Sequence, residues 1–369
     1  MKYNSDKRIV MTLDAGGTNF VFSAIQGCEQ IVKEIRLDSN ADNLDKCLSN
    51  LIEGFTKVRN ILPQKPAAIS FAFPGPADYP NGIIGDLPNL PAFRGGVALG
   101  PMLNRKFGLP VFINNDGDLY AYGEAIAGFL PFINSLLEKA GNPKRYNNLI
   151  GLTLGTGFGC GIVSKGELYL GDNSIAGEIW LLRNKLIPTV NIEESVSIRC
   201  IQRVYAEKAG LKKETVPSPK EIFEIGSGKA VGNKEAALDA YKHLAEAAGD
   251  AISNAITLLD GLVVIGGGLA GAHPLFMKYL IDEMNGYFVK SDGTKFKRLV
   301  ADVYNLEDDA GLQKFVKSNS KEISVYGTDE KVTYDPSQKI GVGISEIGTS
   351  KAISIGAYAF ALNKMDQNK

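Results

Sequence analysis

The chain has 369 residues, more than one ordinary hydrophobic core accommodates, so two lobes are expected. An apolar fraction of 44% and a charged fraction of 22% are those of a globular protein, and a formal net charge of -1 supplies no general attraction to nucleic acid or to an anionic membrane. Four scattered cysteines without a Cys-x-x-Cys pair argue against disulfides or a zinc knuckle, and no apolar run has the ~18 residues of a membrane span, so a cytoplasmic location is expected.

Residues 9–14 form a short apolar run, read as a buried strand stopped by glycines in Asp14-Ala15-Gly16-Gly17-Thr18-Asn19. Residues 20–25 and 31–37 read as further strands around a turn at Gln26-Gly27. The first glycine turn therefore joins strand to strand, whereas a Walker loop would open a helix and end in Gly-Lys-Ser/Thr. Leu44, Cys47, Leu48, Leu51, Ile52 and Phe55 recur at helical spacing. Residues 67–73 predict a strand ending in Pro74-Gly75-Pro76, and 111–114 another that runs into Asn115-Asp116-Gly117.

The pattern then repeats. Residues 149–154 predict a strand, Gly155-Thr156-Gly157-Phe158-Gly159 a second glycine turn, and 162–164 with 167–170 a hairpin around Lys165-Gly166. Helices are expected at 195–209 and 236–259. A strand at 262–265 leads into Gly266-Gly267-Gly268, and a helix starts after Pro274. Further strands are read at 323–326, 332–334 and 340–344, then a closing small-residue helix at 352–362 with a frayed polar tail. Two copies of strand–glycine turn–strand point to two similar α/β lobes, while 128–148 and 285–345 look like additions without an assigned role.

Glycine lets a backbone approach an anion closely and aim its N–H groups at it. Two such turns far apart suggest two halves closing on a polyphosphate, with Asp116 at a strand end, where α/β sites collect polar groups. Phosphoryl transfer needs positioning, Mg²⁺ and donors on the phosphate oxygens, a task that suits the turn N–H groups with the Thr18 and Thr156 hydroxyls. Asp14 is expected to face Mg²⁺ through water. Taken singly, Asp14 could instead begin a turn and Asp116 cap a helix.

The order of these segments resembles the ROK family of sugar kinases, within the actin-like ATPase fold shared with hexokinases. The resemblance implies an α/β fold of two actin-like (ribonuclease H-like) lobes with mixed sheets flanked by helices and a cleft between them. It implies a small lobe of residues 1–127 plus 352–369 and a large lobe of 128–351, with insertions near 128–148 and 285–345. The implied reaction is ATP-dependent phosphorylation of a hexose hydroxyl, by default glucose to glucose 6-phosphate, with ATP and Mg²⁺ as cofactors. Asp116 becomes the general base, and Gly75, Asn89, Asn115, Glu178 and Glu193 join it as sugar contacts. Asp14, Gly16, Gly17, Thr18 and Asn19 form the first phosphate loop, Gly155, Thr156 and Gly157 the second, and Gly266, Gly267 and Gly268 the adenosine turn. The family is often dimeric, which makes a homodimer the implied assembly.

Two departures stand out. Trp180-Leu181 replace the family's Gly-His after the first site glutamate, and residues 185–191 lack its cysteine cluster, so no zinc is expected. Loss of the His leaves an apolar Trp180-Leu181 wall, which would suit an acetamido group. Rival readings are a sugar- or nucleotide-binding sensor, and a dinucleotide enzyme built on Gly266-Gly267-Gly268-Leu269-Ala270-Gly271. Against the latter, Asp282 and Glu283 are expected inside a helix instead of ending a second strand. His243 and His273 read as structural.

Overall fold

The computed structural model describes residues 2–75, 77–85 and 91–367. β1 (Val10–Ala15) and β2 (Asn19–Gln26) are antiparallel across the first glycine turn, and β3 (Glu29–Gln30) and β4 (Ile35–Asp38) pair with β2. The run 31–37, read above as one strand, is strand only from Ile35. α1 (Leu44–Ile61) is capped by the Asn43 side chain, which accepts the Lys46 N–H, and buries Cys47, Leu51, Phe55 and Val58 on one face. β5 (Ala68–Ala72) adds to β1 in parallel. After α2 (Leu99–Phe107), β6 (Val111–Asn114) adds to β5, giving the order β3-β2-β1-β5-β6 with β4 beside β2.

α3 (Asp116–Ile126) leaves the end of this sheet and packs on the second one. Residues 128–148 contain α4 (Phe129–Lys139), which buries Phe129, Leu130, Ile133 and Leu137. β7 (Leu149–Leu154) and β8 (Phe158–Ser164) are antiparallel across the second glycine turn, and β9 (Glu167–Leu168) closes a hairpin whose Lys165 (φ 54°) and Gly166 (φ 78°) adopt the left-handed backbone of a tight two-residue turn. α5 (Ile198–Ala209), α6 (Pro219–Gly226) and α7 (Lys234–Leu259) cover this sheet, followed by β10 (Leu262–Gly266) and α8 (His273–Met284).

β11 (Tyr287–Val289) pairs with β12 (Lys295–Lys297) in an exposed hairpin. β13 (Asp302–Asn305) precedes α9 (Asp309–Val316), and β14 (Lys321–Ser324) with β15 (Lys331–Tyr334) forms a second exposed hairpin. β16 (Lys339–Ile344) leads to α10 (Thr349–Gln367). The second sheet runs β13-β16-β10-β7-β8-β9. Read from its β9 edge to β16 it repeats the first sheet's order, with β13 added outside. Much of 285–345 is thus integral: β13 and β16 are sheet strands, and the two hairpins stand apart.

The frayed tail expected after residue 362 is corrected. α10 continues to Gln367 because Asn363 donates to Glu167 (2.6 Å) and Arg8 pairs with Asp366 (2.7 Å). α10 packs on β1 and β5 and crosses α3 at glycines: a Cβ on Gly123 would strike the Ala352 carbonyl, and one on Gly356 the Leu119 carbonyl.

Candidate active site

Two segments distant in sequence rest on one peptide of β8. A Cβ on Gly117 would lie 2.9 Å from the Cys160 carbonyl oxygen, and one on Gly177 2.8 Å from the same atom. Only glycines allow both backbones this close, and the packing joins the start of α3 to the loop that carries Glu178. Asp118 consequently feels the charges of both Glu178 and Asp116, and all three carboxyl groups act on the Tyr79 hydroxyl. Asp14, at the end of β1, acts on Asp116. Among the described residues no Lys or Arg pairs with Asp14, Asp116, Asp118 or Glu178, so an acid-rich pocket is left without protein counter-charge.

Asp116 is the first residue of α3, and Asn115 is its cap: the Asn115 Oδ1 accepts the Gly117 N–H at 2.8 Å. The capping task that might have explained Asp116 therefore falls to its neighbour. Asp116 also accepts the Gly117 N–H (2.8 Å), and its side chain is open to the cleft. Water reaches the carboxylate, yet protein crowds it from every other direction. Poor solvation raises its pKa, the Gly117 hydrogen bond opposes that rise, and the Asp14 charge adds to it. A carboxylate with a raised pKa is a stronger base than one on the surface.

Sequence reasoning assigned no role to Asp118 or Tyr79. Asp118 is 3% exposed, with an Oδ1 that has no partner. Burial first, then Glu178 and Asp116, push its pKa well above the usual carboxylate range. The available signal was an acid in the first turn of a helix that is otherwise almost wholly apolar. Tyr79 is buried and donates to the Phe73 carbonyl (3.0 Å). Gly75, expected to touch sugar, lies against that hydroxyl, where a Cβ would collide with it. Asn89 lies outside the described residues. Beside this group an open cavity of about 580 Å³ is lined by Asp78 and Asn81 from the first half of the chain and by Asp172 and Asn173 from the loop before Glu178.

The apolar wall expected at Trp180-Leu181 is not what forms. Leu181 is 59% exposed, and Trp180 gives its indole N–H to the Glu178 carboxylate. Glu193 accepts the Phe158 N–H (3.1 Å) and pairs with Arg199 (3.0 Å), which in turn donates to the Thr156 carbonyl (3.0 Å). A Cβ on Gly157 would meet the Glu193 carboxylate at 2.8 Å, so Glu193 braces the second glycine turn. The loop 185–191 is organised by buried Asn184, whose amide donates to the Asn191 carbonyl (3.2 Å) and Ser195 Oγ (2.8 Å) and accepts from Leu186 (2.9 Å) and Ile187 (3.0 Å). His243 Nε2 meets the same Ser195 hydroxyl (3.1 Å), a structural contact, and burial lowers its pKa.

The second and third glycine turns adjoin. A Cβ on Gly155 would lie 3.9 Å from the Gly268 nitrogen, and the Leu269 N–H donates to the Leu154 carbonyl (2.9 Å). Gly267 (φ 86°) adopts a backbone that a side chain would strain, and its N–H donates to Thr349 (2.8 Å). Gly16 donates to the Asn19 carbonyl (3.0 Å) to close the first turn, while the N–H groups of Gly17, Thr18, Thr156 and Gly157 have no protein partner among the described residues. These unpartnered donors and the exposed, unpaired Asp14 carboxylate fit a Mg²⁺-bound polyphosphate: N–H groups for phosphate oxygens, a hard oxygen for the cation. The dinucleotide reading finds no support here, since Asp282 and Glu283 lie in α8.

Two α/β sheets of one topology, glycine turns at both and an acid-lined cleft define a sugar kinase of the actin-like ATPase fold. The ROK family model matches residues 10–313. A crystal structure of glucokinase from Parabacteroides distasonis is 56% identical, with 98% of this chain and 99% of that one covered at a TM-score of 0.90. A glucokinase from Halalkalibacterium halodurans is 28% identical over 335 residues, 81% of this chain and 91% of that protein. An N-acetyl-D-glucosamine kinase from Photobacterium profundum is 27% identical over 283 residues, 72% of this chain and 86% of that protein. The chain belongs to the ROK family.

Proposed function

We propose that this protein transfers the γ-phosphoryl group of ATP to a hexose hydroxyl, converting glucose to glucose 6-phosphate, with Asp116 as general base. The observation that carries this reading is the position of Asp116: at the start of α3, free of any cation, relieved of capping by Asn115 and made more basic by its surroundings. The hydroxyl proton passes to the Asp116 carboxylate, the sugar oxygen bonds to the γ-phosphorus, and the bond to the β–γ bridging oxygen breaks to release ADP. Asn115 and Glu178 hold neighbouring hydroxyls, Asn89 and the Gly75 backbone add to them, and Glu193 reaches the sugar from the turn it braces. Gly16 to Asn19 and Gly155 to Gly157 receive phosphate oxygens, and Gly266 to Gly268 border the adenosine. Mg²⁺, held through water by Asp14, supplies charge neutralisation on the phosphates when bound. Closure of residues 1–127 with 352–369 onto 128–351 keeps water from the phosphate. The working assembly is a cytoplasmic homodimer without zinc, and stoichiometric zinc in tag-free protein would overturn that last point.

Glucose is favoured by the identity to the Parabacteroides distasonis glucokinase. A second reading, an N-acetylhexosamine kinase, draws on the Photobacterium profundum relative. Hexose-dependent ADP release across glucose, mannose, fructose and N-acetylated hexosamines tests both. The highest kcat/KM is expected with glucose. A preference for an acetylated sugar would shift the assignment to the second reading, and release that no hexose stimulates would end the kinase reading.

A further inference from the structure

The parallel strands of the second sheet begin at the end of the protein opposite the cleft, where they line a partly open cavity of about 660 Å³, within the range of small-molecule sites. Five cations line it, Lys144, Arg145, Lys165, Arg298 and Lys339, against one carboxylate, Asp260. Arg298 is paired with Asp250 at 3.6 Å, while its buried Nε has no partner. The other four make no ion pair among the described residues. Lys339 is fixed, donating to the carbonyls of Lys314 (2.7 Å), Phe315 (3.3 Å) and Lys317 (2.6 Å), and burial lowers its pKa. Asp260 and the carbonyl end of α7 answer part of this charge. The exposed Lys144, Arg145 and Lys165 exceed it.

The frame beneath these three is rigid. The Tyr146 hydroxyl donates to the Lys339 carbonyl (2.7 Å), and its ring stacks on Phe315 at 5.6 Å. The Asn148 side chain donates to the Asp260 carbonyl (2.9 Å) and accepts the Lys165 N–H (2.8 Å). Arg145 donates to the Asn142 (2.6 Å) and Lys144 (2.8 Å) carbonyls, and the Lys144 ammonium lies 5.4 Å from the centre of the Tyr146 ring. An aromatic and amide floor thus holds cations that lack a carboxylate partner, a receptor for an anion with a compact body. We propose that this cavity binds a phosphorylated small molecule, its phosphate held by Lys144, Arg145 and Lys165 and its body against Tyr146. β7 lies between the cavity and the second glycine turn, and its 6 residues at about 3.3 Å each separate them by roughly 20 Å, so occupancy leaves the cleft open.

Glucose 6-phosphate, AMP and inorganic phosphate carry the shared chemistry and serve as calorimetric probes, each titrated into protein saturated with glucose and a non-hydrolysable ATP analogue. The expected result is saturable binding of at least one probe, weakened about tenfold or more by Lys144→Ala/Arg145→Ala/Lys165→Ala and reduced by added salt. The probe that binds tightest identifies the body as sugar, nucleotide or none. Sugar-dependent ADP release without added probe should match wild type, and a failure of the kinase reading would leave the binding contrast intact. Equal affinity in wild type and triple variant, or no saturable binding up to about 10 mM, would overturn the site. Should the triple variant not fold, Lys165→Glu alone reads the same contrast.

Discussion

Asp118 and Trp180 govern the acids around Asp116 without capping or pairing any of them by charge. Burial holds the Asp118 carboxyl protonated to a higher pH in the folded state than after unfolding, where it titrates as an ordinary Asp near about 3.9. Its folded pKa is raised, so the stabilising contribution is complete below the unfolded value and is lost as pH rises towards the folded one. Asp118→Asn, which makes the neutral form permanent, should retain most of kcat/KM and raise Tm by about 2 °C at pH 8, with less gain at pH 5. A large activity loss in the Asn variant, or a gain independent of pH, would contradict the raised pKa of this carboxyl. Trp180→Phe removes the indole donor while keeping a ring against the apolar core between the second sheet and α5, α7 and α8. The sugar KM should rise about tenfold with kcat much less affected, as measured by steady-state kinetics. An unchanged KM would show that Glu178 needs no such anchor.

At the scale of elements, the site depends on how short segments are braced. Asn184 makes four hydrogen bonds to the loop 185–191 and to Ser195, so a side-chain amide holds a loop in which the family pattern leads one to expect cysteines. Asn184→Ala should lower Tm by several degrees in thermal melts, from a cost of about 2 kcal/mol for the groups left unpaired, and added zinc should not restore it. Both strand–turn–strand units were legible because their apolar runs stop at glycines, and β6 and β7 match the ranges read from sequence. α4 lies in 128–148, which was read only as an addition, and its Pro131 occupies the first turn, where its missing N–H costs nothing. Within 285–345, β16 matches the strand read at 340–344, whereas β13, a short strand between the two exposed hairpins, was not read. The glycine turns and the strand-end position of Asp116 could be read from the residues, while the roles of Asp116 and Glu178 came with the family resemblance. The engagement of Trp180 with Glu178 and of Glu193 with the Phe158 N–H could not, because each depends on contacts that only tertiary packing creates.

For the whole molecule, the layout places the two sheets either side of the crossed pair α3 and α10. Both helices connect to parts of the candidate site: α3 starts at Asp116, and the N-terminal Thr349 of α10 accepts the Gly267 N–H. Fully buried Glu124, near the other end of α3, accepts the Phe129 N–H (2.8 Å) and the Ser345 hydroxyl, and the Ser345 N–H donates to the Ile265 carbonyl (2.9 Å). The proposed base and the proposed nucleotide turn are thereby tied to the same crossing, a geometry suited to the lobe closure proposed above. In the proposed mechanism Asp116 works as its carboxylate, so kcat/KM should fall as pH drops through its raised pKa, with an acid limb above the ordinary Asp value of about 3.9. The most direct test of the account is Asp116→Asn, read by sugar-dependent ADP release beside ATP-analogue binding. Turnover should drop by about a thousandfold with nucleotide affinity retained, and near-normal turnover would show that Asp116 is not the base.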